Sequence, residues 1–320
     1  VEPQTRYLYV PATPRWSVSG WCFTVNRYNL YESLLQSTVC NCYAHIPCQP
    51  WALHPPQPLH TSKAPRGAKH SKTNKNQALA WAAKVRRLQA SIVMPDNAPQ
   101  VKVEAVRGYG AAITPCESTN EAREQAAAAE VRRTGGFLVH PSNDPRIIAG
   151  QGTVGLELVR QVRDMRGGGA LDAVIVPVGG GGLIGGVATA VKALLPDCLV
   201  IGAEPAAADD AYRSKKCGRL CGHETPPATE ADGLRTTLGT NTWPIVRDRV
   251  DAIVRVTELE IRRLIAAVYE RMKLAIEPSA AIGVAAAMSA EERGRARVGV
   301  VLCGGNVDVG RLGELLSGRG

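Results

Sequence analysis

The sequence predicts an α/β protein built on largely parallel sheets, and three observations support this class. Short apolar runs rich in valine and isoleucine alternate with helix-period segments from about residue 77 onward. Several runs are apolar at consecutive positions, as expected of parallel strands that helices cover on both faces. Glycine clusters follow two of these runs, at residues 179–182 and 304–305, and the carboxyl ends of parallel strands are where ligands bind in such sheets.

The elements follow in order from the hydrophobic period and its stop signals. Ser118 is the expected N-cap of a helix that stops at Gly135. Thr257 and Glu260 have the spacing of a capping box. Helices are predicted over residues 77–88, 101–107, 118–134, 154–165, 183–195, 258–273 and 280–288, and strands over 90–94, 110–113, 137–139, 173–178, 199–204 and 297–302.

Composition excludes several classes of protein. At 320 residues, with 45% hydrophobic and 21% charged residues, the chain has the content of an ordinary globular enzyme. No apolar run reaches membrane-spanning length. The net charge of +9 comes from dispersed lysines and arginines without interleaved aromatic residues, so we expect neither a nucleic-acid nor a membrane partner. Nine scattered cysteines favour a reducing compartment and predict a cytoplasmic location.

Residues 1–68 differ in composition from the rest of the chain. They contain four of the nine cysteines and no lysine before Lys63. Neither a helix nor a strand period persists there, so an irregular segment is predicted. The residues Cys40, Cys42, His45 and Cys48 offer soft metal ligands, but their spacing matches no usual structural zinc pattern, and we interpret the cluster as incidental.

The stretch from Asp172 to Leu195 gives the first indication of a ligand. Its apolar strand stops at the four glycines Gly179, Gly180, Gly181 and Gly182, and a helix follows. Glycines at such a junction let backbone N–H groups surround an anion at the helix N-terminus, which predicts a phosphate-bearing ligand.

One candidate ligand is NAD. The residues from Gly180 to Gly185 satisfy G-x-G-x-x-G, and Glu204 ends the next predicted strand, where a ribose-binding acid is expected. Four consecutive glycines nevertheless suit a single phosphate monoester better than a pyrophosphate. An NAD-dependent oxidoreductase therefore stays open as an alternative.

Four segments, in a fixed order along the chain, narrow the choice of phosphate-bearing ligand. They are Val176-Pro-Val-Gly-Gly-Gly-Gly-Leu183, Ala203-Glu-Pro-Ala-Ala-Ala-Asp-Asp210, Ile276-Glu-Pro-Ser-Ala280 and Leu302-Cys-Gly-Gly-Asn306. Together they resemble the serine racemase and serine/threonine ammonia-lyase branch of the fold-type II pyridoxal-phosphate (PLP) enzymes, over about residues 69–310. The resemblance implies two α/β domains of three αβα layers: a small one over residues 69–143, and a large one over 144–320 whose N-terminal part is missing or replaced.

The resemblance also implies a cofactor site. The four glycines and Leu183 would bind the PLP phosphate, and Asn74 would bind the ring hydroxyl. Gly233 and Glu277 would border the ring, and Cys303 would face the pyridine nitrogen. A neutral thiol there would moderate the electron sink of the cofactor.

Two further sites follow from the same resemblance. Glu204, the carbonyl of Ala208, and Asp210 match a divalent-cation site, and oxygen ligands suit Mg²⁺, Ca²⁺ or Mn²⁺. An ATP effector site would fall on the residues Gln77, Tyr109, Lys273 and Asn306. A homodimer is expected.

The pattern departs from the family at the lysine that forms the Schiff base. Family members carry that lysine well upstream of a serine- and glycine-rich loop. Here His70 to Gln77 stands where the loop belongs, and Lys72 takes the position of the serine that acts as acid and base. Lys63 echoes the lysine motif, but only nine positions separate it from Lys72, too few for the helix and strand that should lie between them.

The expected activity is that of the branch. Cα-proton abstraction from an external aldimine of serine or threonine would give D-serine, or a keto acid and ammonia. The absence of that lysine leaves open whether the chain is active or inactive as the sequence stands. A non-catalytic protein that binds PLP or another phosphate ligand is the alternative from a different functional class.

Overall fold

The computed structural model describes residues 22–25, 67–70, 75–165, 168–291 and 297–317. The chain divides into two compact units, Leu30–His140 and Val1–Asn29 with Pro141–Gly320. The division falls between His140 and Pro141. Asn143 belongs to the second of these units, where its Oδ1 accepts from Asn241 N at 2.6 Å.

The first unit is built on a parallel four-stranded sheet. Its strand order is β4-β3-β2-β5, and the alternation of strands and helices follows the predicted βαβ pattern. Ala80, Ile92, Met94 and Val106 form its buried apolar cluster. The elements are β2 Gly67–His70, α1 Lys75–Val85, β3 Ala90–Pro95, α2 Gln100–Gly108, β4 Ala112–Cys116, α3 Asn120–Thr134 and β5 Phe137–Leu138.

The second unit has a parallel sheet of five described strands in the order β1-β9-β6-β7-β8. Its strands are β1 Cys22–Val25, β6 Ala173–Pro177, β7 Leu199–Pro205, β8 Ala252–Val256 and β9 Val298–Leu302. Its helices are α4 Pro145–Asp164, α5 Gly182–Leu194, α6 Asp210–Cys217, α7 Thr242–Arg249, α8 Glu258–Ala267, α9 Pro278–Glu291 and α10 Val309–Ser317.

Helices cover both faces of this sheet. Along β6, Val174 and Val176 lie in one buried cluster with residues of α4, α5 and α7. Ile175 lies in the other cluster, with residues of α8, α9 and α10. The predicted three-layer arrangement with parallel strands is therefore confirmed in this unit. No helix within the described ranges is both long and apolar enough to cross a membrane.

Several sequence predictions need correction at helix ends. Thr119, not Ser118, caps α3, and its Oγ1 accepts from Ala122 N at 3.0 Å. The helix predicted over residues 154–165 begins at Pro145, because Asp144 Oδ1 accepts from Arg146 N at 2.8 Å and caps it. The capping box of Thr257 and Glu260 is confirmed, but α8 ends at Ala267 and a π turn carries the chain to Met272.

The N-terminal segment is not wholly irregular. Strand β1, with the sequence CFTV, pairs in parallel with β9, and β2 pairs with β3 and β5. Phenylalanine, threonine and valine favour strands, which accounts for β1. The cysteine and histidine cluster at residues 40–48 lies outside the described residues.

Helices α4 and α5 approach closely enough for their backbones to touch. A Cβ added at Gly186 would lie 2.3 Å from Ile148 O and 2.5 Å from Gly152 N. Replacing Gly186 by alanine must therefore push the two helices apart, and closely packed cores resist such insertions at a cost of about 1–3 kcal/mol.

We expect Gly186→Ala to lower the free energy of unfolding by about 1–3 kcal/mol in urea titrations. The control is Gly313→Ala in α10, where nothing lies within 4 Å of the added Cβ. There, alanine should stabilise the helix by about 0.5–1 kcal/mol. Equal effects of the two substitutions would contradict the close helix contact.

Candidate functional site

The site lies at the carboxyl edge of the five-stranded sheet. Strands β6, β7 and β9 are parallel, so the loops that follow Pro177, Pro205 and Leu302 leave the sheet at the same edge. The chain order runs from β6 through β7 to β8 on one side and returns to β9 on the other. The strand order therefore reverses between β6 and β9, and ligands of open α/β sheets bind at such a switch point.

The glycine loop occupies this point, and side chains would not fit there. Gly181 has φ of +79° and is the N-cap of α5. A Cβ on Gly181 would lie 2.7 Å from both Leu238 Cδ2 and Thr242 Oγ1. Cβ atoms on Gly180 and Gly182 would meet Ser142 at 2.4 Å and 3.0 Å. The loop thus keeps its backbone bare at a helix N-terminus, where N–H groups lack partners within the helix.

Thr242 holds the loop in one orientation. Its hydroxyl lies 3.0 Å from Gly180 O and 3.1 Å from Gly239 O, and it accepts from Gly239 N at 2.8 Å. All peptide bonds described are trans. The N–H of the 180–181 peptide therefore points away from Thr242, on the side opposite the Gly180 carbonyl. Thr242 thus fixes which way the 180–181 peptide faces.

Three other predicted cofactor residues adjoin the loop through a chain of contacts. A Cβ on Gly179 would lie 3.2 Å from Gly233 O, and one on Gly233 would lie 2.9 Å from Ser279 Oγ and 3.8 Å from Glu277 Oε1. Gly233 N donates to Ser279 Oγ at 3.1 Å. Buried Glu277 reaches Gly304, next to Cys303, with its backbone N–H donating to Gly304 O at 3.1 Å.

A pair of buried carboxyl groups lies at the end of the neighbouring strand. Glu204 is fully buried, and its two oxygens accept from Ala211 N at 3.1 Å and Tyr212 N at 2.6 Å, in the first turn of α6. Asp210 is 2% exposed and accepts from Leu238 N at 2.8 Å. Its other oxygen lies 3.3 Å from His223 Nε2.

Burial is the main cause of the raised pKa values of these two carboxyl groups. Desolvation raises the pKa of Glu204 to about 8, although the two amide donors oppose the shift. Desolvation likewise raises the pKa of Asp210 to about 7. No group of three or more His, Cys, Asp or Glu side chains with the geometry of a metal site occurs among the described residues. The predicted cation site differs from such a group because it uses two carboxylates and the carbonyl of Ala208.

The remaining predicted site residues belong to the proposed Schiff-base, ring-hydroxyl and ATP-effector positions. Lys63, Lys72 and Asn74 lie outside the described residues. Gln77 is buried in α1, and Lys84 Nζ lies 6.0 Å from the centre of the Tyr109 ring. Lys273 has φ of +58° just after the π turn and donates to Glu270 O at 2.7 Å, whereas Asn306 follows β9.

Three residues at the site carried no predicted role. Ser142 lies against Gly180 and Gly182, Thr242 orients the loop, and Ser279 binds Gly233 N. Each belongs to a segment that the resemblance included or adjoins: Pro141-Ser142, Asn241-Thr242 and Glu277-Pro-Ser279. The segments that contain them were therefore recognisable in the sequence. Nothing in the sequence indicates, however, that these three residues contact segments far away along the chain.

An open parallel sheet with a bare glycine loop at its switch point defines an α/β protein that binds a phosphate-bearing ligand. Comparison with known proteins makes this class more specific. Residues 62–304 match the family model described as pyridoxal-phosphate dependent enzyme. The chain belongs to this family.

Its relatives are amino-acid enzymes. The chain is 44% identical to a serine racemase of Dictyostelium discoideum, covering 78% of this chain and 76% of that protein. It is 47% identical to the human serine racemase, with coverages of 75% and 70%. Among solved structures, a threonine deaminase from T.th. superposes with a TM-score of 0.73 at 43% identity, covering 78% of this chain and 80% of that chain.

A further solved structure, the maize serine racemase, has a TM-score of 0.72 at 42% identity and covers 78% of this chain and 76% of its own. The chain is thus a relative of PLP-dependent serine racemases and ammonia-lyases. The predicted family and the predicted fold class are both confirmed.

Gly181→Ala should weaken PLP binding at least tenfold, because the new Cβ collides with Leu238 and Thr242 and the backbone must leave the left-handed region. The measurement is equilibrium dialysis against PLP. Gly135→Ala is the matched control, since Gly135 also has positive φ, +63°, but nothing lies within 4 Å of its added Cβ. Equal affinity in Gly181→Ala and the unmodified chain would show that the loop does not bind the phosphate.

Proposed function

We propose that the chain binds PLP as a member of the serine racemase and ammonia-lyase branch, and that as the sequence stands it lacks the covalent anchor for catalysis. The observation that carries the proposal is the meeting of the glycine loop, Gly233, Glu277 and Cys303 at the switch point between β6 and β9. Gly233 lies close to Gly179 and donates its N–H to Ser279 Oγ, and Glu277 N donates to the carbonyl of Gly304, which directly follows Cys303.

The described residues fit the phosphate end of the cofactor. Gly179, Gly180, Gly181, Gly182 and Leu183 would hold the phosphate through their backbone N–H groups, because a glycine loop at a helix N-terminus leaves such groups accessible to an anion. Gly233 and Glu277 would border the ring, and Asn74 would bind its hydroxyl. When bound, PLP supplies an electron sink for charge that develops at the substrate Cα.

Cys303 would set the strength of that sink. It is half-buried directly after β9, and a cysteine thiol is only a weak hydrogen-bond donor. A neutral partner leaves a ring nitrogen less protonated than a carboxylate would. The chain's own contribution at this position is therefore to keep positive charge off the ring.

The position of strand β2 supports the proposal that no lysine of this chain takes the place of the family's Schiff-base lysine. Strand β2 occupies Gly67–His70, so Gly67 and Ala68, which echo the family's lysine motif, lie in a strand. Only three residues stand between Lys63 and that strand, and a helix cannot form in so short a link. We therefore propose that neither Lys63 nor Lys72 restores the family's proton transfer.

The substrate class follows from the relatives, whose names indicate serine and threonine. We propose that the site accepts such small hydroxy amino acids, and that the family reaction on them would be racemisation or elimination to a keto acid and ammonia. We also propose a cytoplasmic homodimer. Gln77, Tyr109, Lys273 and Asn306 remain candidates for an ATP effector site.

A divalent cation is the proposed partner of the buried carboxyl pair. Two carboxyl groups that desolvation drives toward the neutral form offer oxygen ligands whose charge a cation would stabilise. Glu204, Ala208 O and Asp210 would then hold Mg²⁺, Ca²⁺ or Mn²⁺.

The decisive experiment is spectroscopic. The purified chain is mixed with PLP, and its absorbance is recorded before and after borohydride, followed by peptide mapping. We expect bound PLP without a reduced lysine, and no racemisation or ammonia release from serine. A visible band that borohydride abolishes, with a modified lysine mapped by mass spectrometry, would instead establish a functional anchor.

Two further outcomes separate the alternatives. Failure to bind PLP while binding another phosphate monoester would indicate a different ligand for the same loop. Binding of NADH without PLP would refute the proposal in favour of an oxidoreductase.

Addition of Mg²⁺ or Ca²⁺ should raise the unfolding temperature, since a ligand that binds only the folded state at 100 times its Kd adds about 2.7 kcal/mol of stability. Asp210→Asn should abolish the increase, measured by differential scanning fluorimetry against a chelated sample. Asp209→Asn is the control, because Asp209 pairs with Arg213 and Arg255 instead. An equal increase in both variants would place the cation elsewhere.

A further inference from the structure

Two cysteines face each other where α6 ends. Cys217 is the last residue of the helix, and its Sγ lies 3.4 Å from Cys221 Sγ. A disulfide requires about 2.05 Å between sulfurs, so the thiols need to approach by little more than an ångström. In the sequence both cysteines belong only to a scattered set, and the proposed function uses neither.

The backbone holds the two thiols together. Gly218 turns the chain in the left-handed conformation, with φ of +72°, and its N–H donates to Ser214 O at 2.9 Å. Cys221 N donates to Ser214 Oγ at 2.9 Å, so the loop folds back over the last turn of α6. Nothing lies within 4 Å of a Cβ added at Gly218 or Gly222, which leaves the loop space to tighten.

The thiols are accessible and their surroundings are basic. Cys217 is exposed and Cys221 half-exposed, whereas Cys198 is buried in the sheet core. Lys216 and Arg219 flank Cys217, and both are exposed. Neighbouring cations stabilise a thiolate and attract an anionic thiol reagent.

We propose that Cys217 and Cys221 form a reversible thiol–disulfide site that reacts with small anionic peptide disulfides such as oxidised glutathione. The Cys217 thiolate attacks one sulfur of the reagent, which forms a mixed disulfide and releases one reduced thiol. The Cys221 thiolate then attacks Cys217 Sγ and releases the second. The two cysteines lose two electrons, the reagent gains them, and the two thiol protons leave with its reduced halves.

The order of attack follows from the contacts of the two thiols. Hydrogen bonding with the Arg219 backbone, and then with Cys221, lowers the pKa of Cys217 below its ordinary value. The contact with Cys217 raises the pKa of Cys221. By contrast, desolvation raises the pKa of Cys198 to about 12, which makes that thiol inert.

The test uses the trypsin cleavage sites that lie next to and between the two cysteines. Trypsin cuts after Lys216 and after Arg219, so it separates the two cysteines unless a disulfide joins them. The full chain is equilibrated in glutathione buffers of increasing oxidised fraction, quenched with acid, alkylated, digested and analysed by mass spectrometry.

We expect the peptide of residues 217–219 to appear linked to the peptide that begins at Leu220, in a fraction that rises with oxidised glutathione and returns to zero with dithiothreitol. Cys221→Ser should trap glutathione on Cys217, whereas Cys217→Ser should leave Cys221 at least tenfold less modified. Cys116→Ser, in the other compact unit, is the control and should leave the linked fraction unchanged.

Several results would overturn the proposal. One is a wild-type chain that carries glutathione on Cys217 in oxidising buffer but never the linked peptides. Another is a chain in which both cysteines remain fully reduced. A third is linkage that forms only after unfolding in urea, because the folded geometry would then play no part. None of these readouts depends on PLP or a cation.

Discussion

The glycine loop after β6 leaves no room for side chains, and several other segments of the second compact unit pack against its bare backbone. Ser142 approaches two of its glycines, Leu238 and Thr242 approach Gly181, and Gly233 approaches Gly179. Such contacts require the segments 142–143 and 233–242 to run close to the bare backbone. They also hold the loop at the N-terminus of α5, a kind of position at which proteins bind anions.

The strands were predictable because their burial is nearly uniform. Residues of β6 are buried on both faces, so the run from Ala173 to Pro177 is apolar throughout and stops at glycine. The start of α4 was missed for the opposite reason. The helix was predicted to begin at residue 154, after Gly150 and Gly152, whereas in the structure both glycines lie inside it and Gly152 packs against α5. A glycine needed for close packing cannot be distinguished from a helix breaker in a single sequence.

The candidate site was predictable only as a set of motifs. The resemblance in sequence motifs identified Gly233, Glu277 and Cys303 as expected cofactor residues. It did not indicate what holds them near the glycine loop. Ser279 supplies part of that answer, since its hydroxyl accepts from Gly233 N while it lies two residues after Glu277. Likewise the acidic pair was predicted as a ligand set, but its complete burial, and the use of Glu204 to cap α6, depend on tertiary packing.

The segment from Leu238 to Thr242 contacts both proposed ligand positions. The Leu238 amide binds Asp210, its side chain lies against Gly181, and Thr242 holds the Gly180 carbonyl. If a cation binds the acidic pair and a phosphate binds the loop, each ligand orders the same five residues. Thermodynamic linkage then requires reciprocity: whatever factor the cation adds to the affinity for phosphate, the phosphate adds to the affinity for the cation. The affinity of the glycine loop for phosphate would in this way depend on whether a cation occupies the acidic pair.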